Sequence, residues 1–372
     1  MAIEELKTII DRKLSASDVP MAAKVVHNIP IYDCAALASA LTNEDQRAAL
    51  KAEIGTNVLT GSGVFVLKGA YDDTSIIDAA TETFKDIIRR ERETKESGAD
   101  HFATAGANDR IWNSLEKLCR ADPQLFAEYH GNLWIELASE AWLGPAFQTT
   151  AQVNLVRPGG QAQEAHCDYH LGFLTAEQVR AYPPHVHITS QQLTLQGAIA
   201  HCDMPIESGT TKLLPFSQTW PQNYLRYRDA DVRELFEERH VQLPLSKGDL
   251  LFFSPGLFHA AGSNVTEDID RMANLLQVSS AFGVPLERID RVAMCKLVYP
   301  VLLDSNMPTA QINAAIASTG EGYPFPTSLD TDPPVGGLAP TSQQQLIHEA
   351  LAEKWSPQKF NDALDAREEK RG

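Results

Sequence analysis

At 372 residues, 43% hydrophobic and 22% charged, the chain has the composition of a soluble globular protein, with room for one large domain or two small ones. Its 49 acidic and 32 basic residues leave a net charge of −17, which opposes association with nucleic acid or an anionic membrane, since both depend on Lys and Arg facing phosphate. The five cysteines, Cys34, Cys119, Cys167, Cys202 and Cys295, form no C-x-x-C pair, so neither a zinc knuckle nor a disulfide framework is indicated and a reducing cytoplasm is the default setting.

The start, MAIEELKTIIDRKL, carries acids at once and reaches no continuous apolar run, so it reads as neither signal peptide nor membrane helix. Ile3, Leu6, Ile9 and Ile10 instead fall at helical spacing, predicting a short helix over 3–13 that docks on the main body. A helix over 44–54 follows, then a strand over 63–69 entered through Gly61-Ser62-Gly63, then a long helix over 73–96 whose charged end reads as a solvated face. Residues 97–112, SGADHFATAGANDRIW, form a polar stretch punctuated by His101, Phe102, Arg110 and Trp112, either a connector or a mobile cover over a site. A further helix spans 123–142 and stops at Gly144-Pro145.

From Gln148 the pattern changes to short strands at 148–156, 190–203, 210–215, 240–245, 249–254 and 273–282, with a charged, partly helical insertion over 220–238. Short strands flanked by long helices predict a mainly β fold with α, a double-stranded β-helix or jelly roll braced by N- and C-terminal helices. The tail adds a helix over 309–318, a Pro- and Gly-rich loop over 323–340, and helices over 342–354 and 357–367. The expected organisation is a single domain: a mainly helical part (1–147), a jelly-roll core (148–282) and a helical extension (283–372) that caps the barrel, recognises substrate or joins copies in a homo-oligomer.

Within the core lies RPGGQAQEAHCDYHLGF. His166 and Asp168 are separated by one residue, so on an extended strand both side chains leave the same face. His259 closes a later apolar run, with Arg271 twelve residues beyond it. Two histidines and one carboxylate on one face leave the other face of an octahedral ion open, the ligand set of non-heme Fe(II) oxygenases. The tripeptide recurs at His201-Cys202-Asp203, and His185-Val186-His187 offers another same-face pair. The first closes a strand and runs into a Pro and Gly turn, and the second follows Pro183-Pro184, so they read as a strand-end polar pair and a loop pair.

Asn154-Leu155, His166-x-Asp168, the turn Glu207-Ser208-Gly209, the run Leu213 to Gln218, Gly248-Asp249-Leu250-Leu251-Phe252-Phe253, His259 and Arg271 occur in this order. That series, over roughly 148–282, resembles the phytanoyl-CoA dioxygenase (PhyH) family of iron- and 2-oxoglutarate-dependent oxygenases. The resemblance implies a jelly roll, Fe(II) held by His166, Asp168 and His259, and 2-oxoglutarate chelating the iron while Arg271 meets its far carboxylate, with O2 beside the substrate. It places Asn154 as an amide contact to the cosubstrate, with Gln152 and Gln196 as further candidates. Ala261 stands where many relatives carry serine and Ala273 where other oxygenase families do, leaving that hydroxyl contact to Ser263 or Thr211. Asp168 fills the position that halogenating relatives leave open, so hydroxylation is the main expectation, beside desaturation, epoxidation or ring formation.

Tyr169, His170 and Phe173, with Arg110 and Trp112, are the candidate substrate contacts. No basic tract suited to CoA phosphates is evident, and an amino-acid-like or natural-product small molecule fits the sequence at least as well. The competing readings are a jelly roll that binds metal without turnover and a cupin-type dioxygenase using His185, His187 and His259 without 2-oxoglutarate; neither needs Arg271. A zinc hydrolase would need an H-E-x-x-H motif, which is absent.

Overall fold

The computed structural model describes residues 2–94 and 108–372. Among them ten strands carry the fold: β1 (Lys24–Val26), β2 (Ile29–Asp33), β3 (Val64–Lys68), β4 (Asn108–Ile111), β5 (Gln148–Val156), β6 (Thr194–Ala200), β7 (Lys212–Leu213), β8 (Leu250–Phe253), β9 (His259–Ala260) and β10 (Arg271–Ser279). Eight form one sheet in the order β1-β2-β3-β8-β6-β10-β5-β4, antiparallel throughout apart from β2 beside β3. β7 and β9 begin a second layer, which single antiparallel pairs extend on both sides, His166 to His259 and Leu213 to Val241. From β5 onward the chain therefore alternates between layers, the connectivity of a double-stranded β-helix.

Side-chain alternation gives the large sheet two unlike faces. Phe65, Leu67, Ala151, Val153, Leu155, Leu195, Ile199, Leu250, Phe252, Met272, Leu276 and Val278 share one continuous core with apolar residues of the flanking helices. Those helices include Glu44–Leu59, Ser75–Thr94, Leu133–Leu143 and Arg291–Leu303. The opposite face, toward the second layer, carries Gln152, Asn154, Gln196 and Gln277. A row of amides inside a barrel is costly unless something polar meets it. The N-terminal helix Ala2–Ile10 buries Leu6 and Ile10 in a separate cluster with Trp220, Tyr224, Phe236 and Phe258, the docking its spacing predicted.

Several expectations need correction. The strand predicted over 190–203 is shorter, because Pro184–Gln192 is a helix with Pro184 in its first turn, and β6 starts at Thr194. His185 and His187 thus sit on a helix rather than in a loop. The strand over 210–215 shrinks to Lys212–Leu213, and 240–245 contributes only the pairs made by Val241 and Leu245. The predicted helix over 123–142 is two, Pro123–His130 and Leu133–Leu143, parted where Asn132 caps the second. Of the connector or cover read over 97–112, residues 97–107, with His101 and Phe102, lie outside the described residues, and 108–111 is β4, an edge strand in register with β5.

Close packing at the sheet centre sets a measurable cost. Phe252 is fully buried, its ring stacks on Phe65 at 5.5 Å between centroids, and a Cβ on Gly197 would come within 2.6 Å of it. Truncation in Phe252→Ala is expected to cost about 3–5 kcal/mol, read as a lower denaturant midpoint at unchanged slope.

Candidate metal and cosubstrate site

His166 and His259 are joined as a backbone pair, each N–H donating to the other's carbonyl at 3.0 and 3.2 Å. The Asp168 N–H donates to the Pro255 carbonyl at 3.0 Å, so the His-x-Asp stretch is laced to the segment that ends in His259. One potential ligand atom from each of the three residues lies within 4.8 Å of the others. An Asp168 carboxylate oxygen stands 3.4 Å from His259 Nε2, and its other oxygen 3.9 Å from His166 Nε2.

The imidazoles are oriented from behind. His166 Nδ1 lies 2.8 Å from the Glu164 carbonyl and His259 Nδ1 2.8 Å from the Leu257 carbonyl. A carbonyl only accepts, so each Nδ1 carries its proton and each Nε2 presents a bare lone pair toward Asp168. Burial and the neighbouring His259 hold His166 below the usual histidine range. Burial opposes ionisation of Asp168, but the imidazoles, whenever they take up a proton, and the Gln196 amide, which donates to it at 2.6 Å, outweigh burial and hold its carboxyl below the carboxylate range. Two bare imidazole nitrogens and a carboxylate converging on one point fit a divalent first-row metal.

The triad opens into a cavity of about 880 Å³. Arg271, the first residue of β10, lies in its wall and is 6% exposed. It donates to the Gly209 carbonyl, its Nε has no partner, and among the described residues no carboxylate stands within salt-bridge distance. Burial lowers its pKa to about 10, so it stays charged at neutral pH. A buried cation without a counter-ion is a standing penalty that an anion in the cavity would relieve. Asn154 Oδ1 and Gln196 Oε1 are likewise buried without partners.

The other candidates divide. Gln152 is on the wall, with its Oε1 accepting from Arg110 at 3.1 Å. Arg110 and Trp112 line the cavity together, the guanidinium 5.1 Å over the indole ring. Tyr169 lines it too, in the left-handed region with φ 64° and its hydroxyl donating to Gln277 at 2.6 Å. Phe173 lines the mouth and is 58% exposed, whereas His170 is not among the lining residues and turns its Nδ1 to Ser190, 3.4 Å away. Of the two hydroxyls considered, Thr211 lines the cavity, while Ser263 accepts from the Ala162 N–H instead. Sequence reasoning missed Glu287 and Leu286, which follow β10 and reach the same wall; no local motif marks them.

His187 and His201, two of the competing histidines, are occupied elsewhere. His187 Nε2 faces the Val179 and Tyr182 carbonyls at 3.1 and 3.0 Å. His201 sits on the helix-covered side in an ordered chain: Asn274 donates to the Tyr129 hydroxyl (3.2 Å), which donates to His201 Nε2 (2.7 Å), and His201 Nδ1 meets Thr81 Oγ1 (2.8 Å), whose hydroxyl donates to the Ile77 carbonyl (2.7 Å). Asp203 faces away and accepts from the Lys247 N–H at 2.9 Å.

The phytanoyl-CoA dioxygenase (PhyH) family model matches residues 43–273. The chain belongs to that family. Iron, 2-oxoglutarate and dioxygen are accordingly its cofactors, and it is an iron- and 2-oxoglutarate-dependent oxygenase. Among curated proteins, dioxygenase trt7 of Aspergillus terreus (strain NIH 2624 / FGSC A1156) is 23% identical over 217 residues, 58% of this chain and 68% of that protein. Among solved structures, the non-heme alpha ketoglutarate dependent epimerase SnoN from nogalamycin biosynthesis is 18% identical, covering 63% of this chain and 84% of that one at a TM-score of 0.43. The carbocyclase SnoK from the same biosynthesis is 18% identical, covering 61% and 83% at 0.43. The residues after Ser279 that reach the cavity lie beyond the segment matched by the family.

His201 gives a pH prediction. Burial pushes its pKa down to about 3, below the roughly 6.5 of an unfolded histidine. Its neutral form therefore contributes stability that is fully present above about pH 6.5 and is lost as pH falls toward 3, where only the unfolded chain binds the proton. Between pH 6 and 4 the wild type is expected to lose about 1.4 kcal/mol per pH unit more than His201→Gln, measured by denaturant melts across pH.

Proposed function

We propose that the protein hydroxylates a small molecule held in this cavity, with decarboxylation of 2-oxoglutarate to succinate. His166, Asp168 and His259 serve as the iron ligands, and Arg271 meets the far carboxylate of the cosubstrate. The carrying observation is the pairing, in one cavity, of two Nε2 lone pairs fixed by carbonyls behind them with a buried arginine that lacks a counter-ion. A metal-binding protein without turnover, or an oxygenase without 2-oxoglutarate, gives no account of that arginine.

When bound, iron and 2-oxoglutarate supply the activation of oxygen coupled to cosubstrate decarboxylation. This chain's residues do the rest. Gln196 keeps Asp168 turned toward the imidazoles, and Asn154 offers its unpartnered oxygen at the cavity wall. Asp168 occupies the place that a halide would need, which favours oxygen transfer over halogenation. Tyr169, anchored through Gln277, and Phe173 at the mouth bound the substrate space with Trp112 and Arg110. Apolar surface there excludes water from a reactive centre. Desaturation, epoxidation and ring formation stay within reach of the same machinery. We further propose that the helical parts and the jelly roll act as one oxygenase domain in the cytoplasm; the five cysteines are all unpaired, and among the described residues no helix is long and apolar enough to cross a membrane.

Anaerobic titration with Fe(II) and 2-oxoglutarate, following the visible band of the chelate, tests the assignment. Loss of one partner of a buried pair costs about 3–5 kcal/mol, so Arg271→Gln is expected to bind 2-oxoglutarate roughly a hundred to several thousand times more weakly while still binding iron. His166→Ala should weaken both. Wild-type 2-oxoglutarate affinity in Arg271→Gln would refute the assignment. The orienting role of Gln196 predicts that Gln196→Leu weakens Fe(II) by about 10- to 100-fold, checked in the same titration.

A further inference from the structure

Among the described residues, the Glu287 carboxyl is the acidic group of the cavity wall that the iron site and the surface ion pairs leave over. Asp168 belongs to the triad, and Glu164 pairs with Arg233 at 2.9 Å. Glu287 comes from the segment after β10, beyond the residues shared with the family model. Its Oε1 accepts from the Asn113 N–H at 2.7 Å, in the left-handed turn that ends the Arg110–Trp112 stretch. The carboxyl is thereby locked in place beside Trp112. Its Oε2 is buried without a hydrogen-bond partner, so a ligand group reaches it once the side chains over it shift.

A sealed carboxyl oxygen without a partner carries a desolvation cost whichever protonation state it takes. Its surroundings decide what would relieve that cost. The cavity also holds Arg110, Arg228 and Arg271, so an ammonium group brought to Glu287 would meet cations across the same space. The wall also carries apolar and aromatic side chains, among them Trp112, Leu286, Phe173 and Tyr227. A cavity of about 880 Å³ has room for a multi-ring molecule beside the cosubstrate.

We propose that Glu287 is a specificity-determining residue whose free carboxyl oxygen hydrogen-bonds a hydroxyl group on an otherwise apolar, ring-containing substrate. A hydroxyl both donates and accepts. It therefore satisfies the carboxyl in either form, which matters because burial raises the Glu287 pKa to about 7. An ammonium would suit only the ionised form and a ketone only the protonated one. This assignment rests on the 2-oxoglutarate oxygenase reading and adds a substrate class to it. It also gives part of the C-terminal extension a role at the site.

The test uses the full-length protein with Fe(II) and 2-oxoglutarate under argon, and a panel of polycyclic alcohols and phenols, each paired with its methyl ether. Binding is read as perturbation of the visible chelate band. Above pH 7, where the carboxyl is ionised and only accepts, wild type is expected to bind alcohols about ten to a hundred times more tightly than their ethers, the factor for one buried hydrogen bond to a charged group. Glu287→Leu should form the chelate band and lose that preference, and so should Glu287→Gln, which keeps an oxygen for Asn113 but turns an amide N–H to the substrate, a donor that an ether oxygen accepts as readily as a hydroxyl. Equal binding of alcohols and ethers by wild type, binding of no panel member, or an unchanged preference in Glu287→Leu would each overturn the proposal. Should Glu287→Leu fail to fold, the wild-type comparison and Glu287→Gln still decide, since an unchanged preference in Glu287→Gln also contradicts it. Absence of the chelate band in wild type would instead overturn the oxygenase reading beneath it.

Discussion

Two backbone hydrogen bonds between His166 and His259 hold the whole site in register. They pair residues far apart in the chain, so the loop between them must close before the bonds can form, and that closure carries an entropic cost. Closure comes from the two-layer fold. β5, β6, β8 and β10 stack as one layer, and the returns through β7 and β9 bring the second layer over it. Once His166 meets His259, Asp168 is fixed by the Pro255 carbonyl, and both Nδ1 atoms find carbonyls two residues behind their own positions. Ligand direction thus follows from strand pairing rather than from side-chain freedom, and a preorganised ligand set loses little entropy on binding a metal.

The same alternation that builds the sheet separates stability from chemistry. Outward residues such as Phe252 and Leu276 join the helical core, while inward ones such as Gln152, Gln196 and Gln277 face the cavity. Period-two alternation allows a strand to serve both without compromise, because each residue belongs to one face alone. Tyr169 is the local exception. Its left-handed backbone, φ 64°, is uncommon for a bulky residue and costs on the order of 1–3 kcal/mol. It is held there by full burial and by the bond to Gln277, a pattern expected where the chain must turn sharply just past a ligand.

What was legible in the sequence followed from short-range periodicity and order. The His-x-Asp spacing, the strand runs at 148–156 and 249–254, and the ordered motifs through Arg271 carried the jelly roll and the family. What was hidden depended on long-range pairing or on mixed local signals. His201-Cys202-Asp203 has the same local pattern as the site, yet His201 is enclosed between Thr81 and Tyr129, and only the choice of sheet face separates the two. β4 reads as loop because Asn108, Asp109 and Arg110 lack apolar alternation; pairing with β5 makes it a strand. The helix Arg291–Leu303 went unread because Pro300 sits inside it and apolar residues surround it on most sides. Glu287 had no signal at all, since its meaning lies in where the end of β10 delivers it.

Electrostatics then explains why the cavity is built from groups that resist burial. Arg271 and Arg110 are each 6% exposed, and Arg110 disfavours the charge on Arg271 in the shared space. Arg110 is partly compensated by Gln152 and the Trp112 face, but Arg271 has only a carbonyl. A protein selected for stability alone would replace such a residue with an apolar one of similar volume. Keeping it makes sense where an anion is bound, because pairing offsets the cost of burying the charge. Chain direction then decides where each charge enters the cavity wall. Arg271 opens β10 and Glu287 follows its far end, so one strand delivers a buried cation from its start and a carboxyl from its exit.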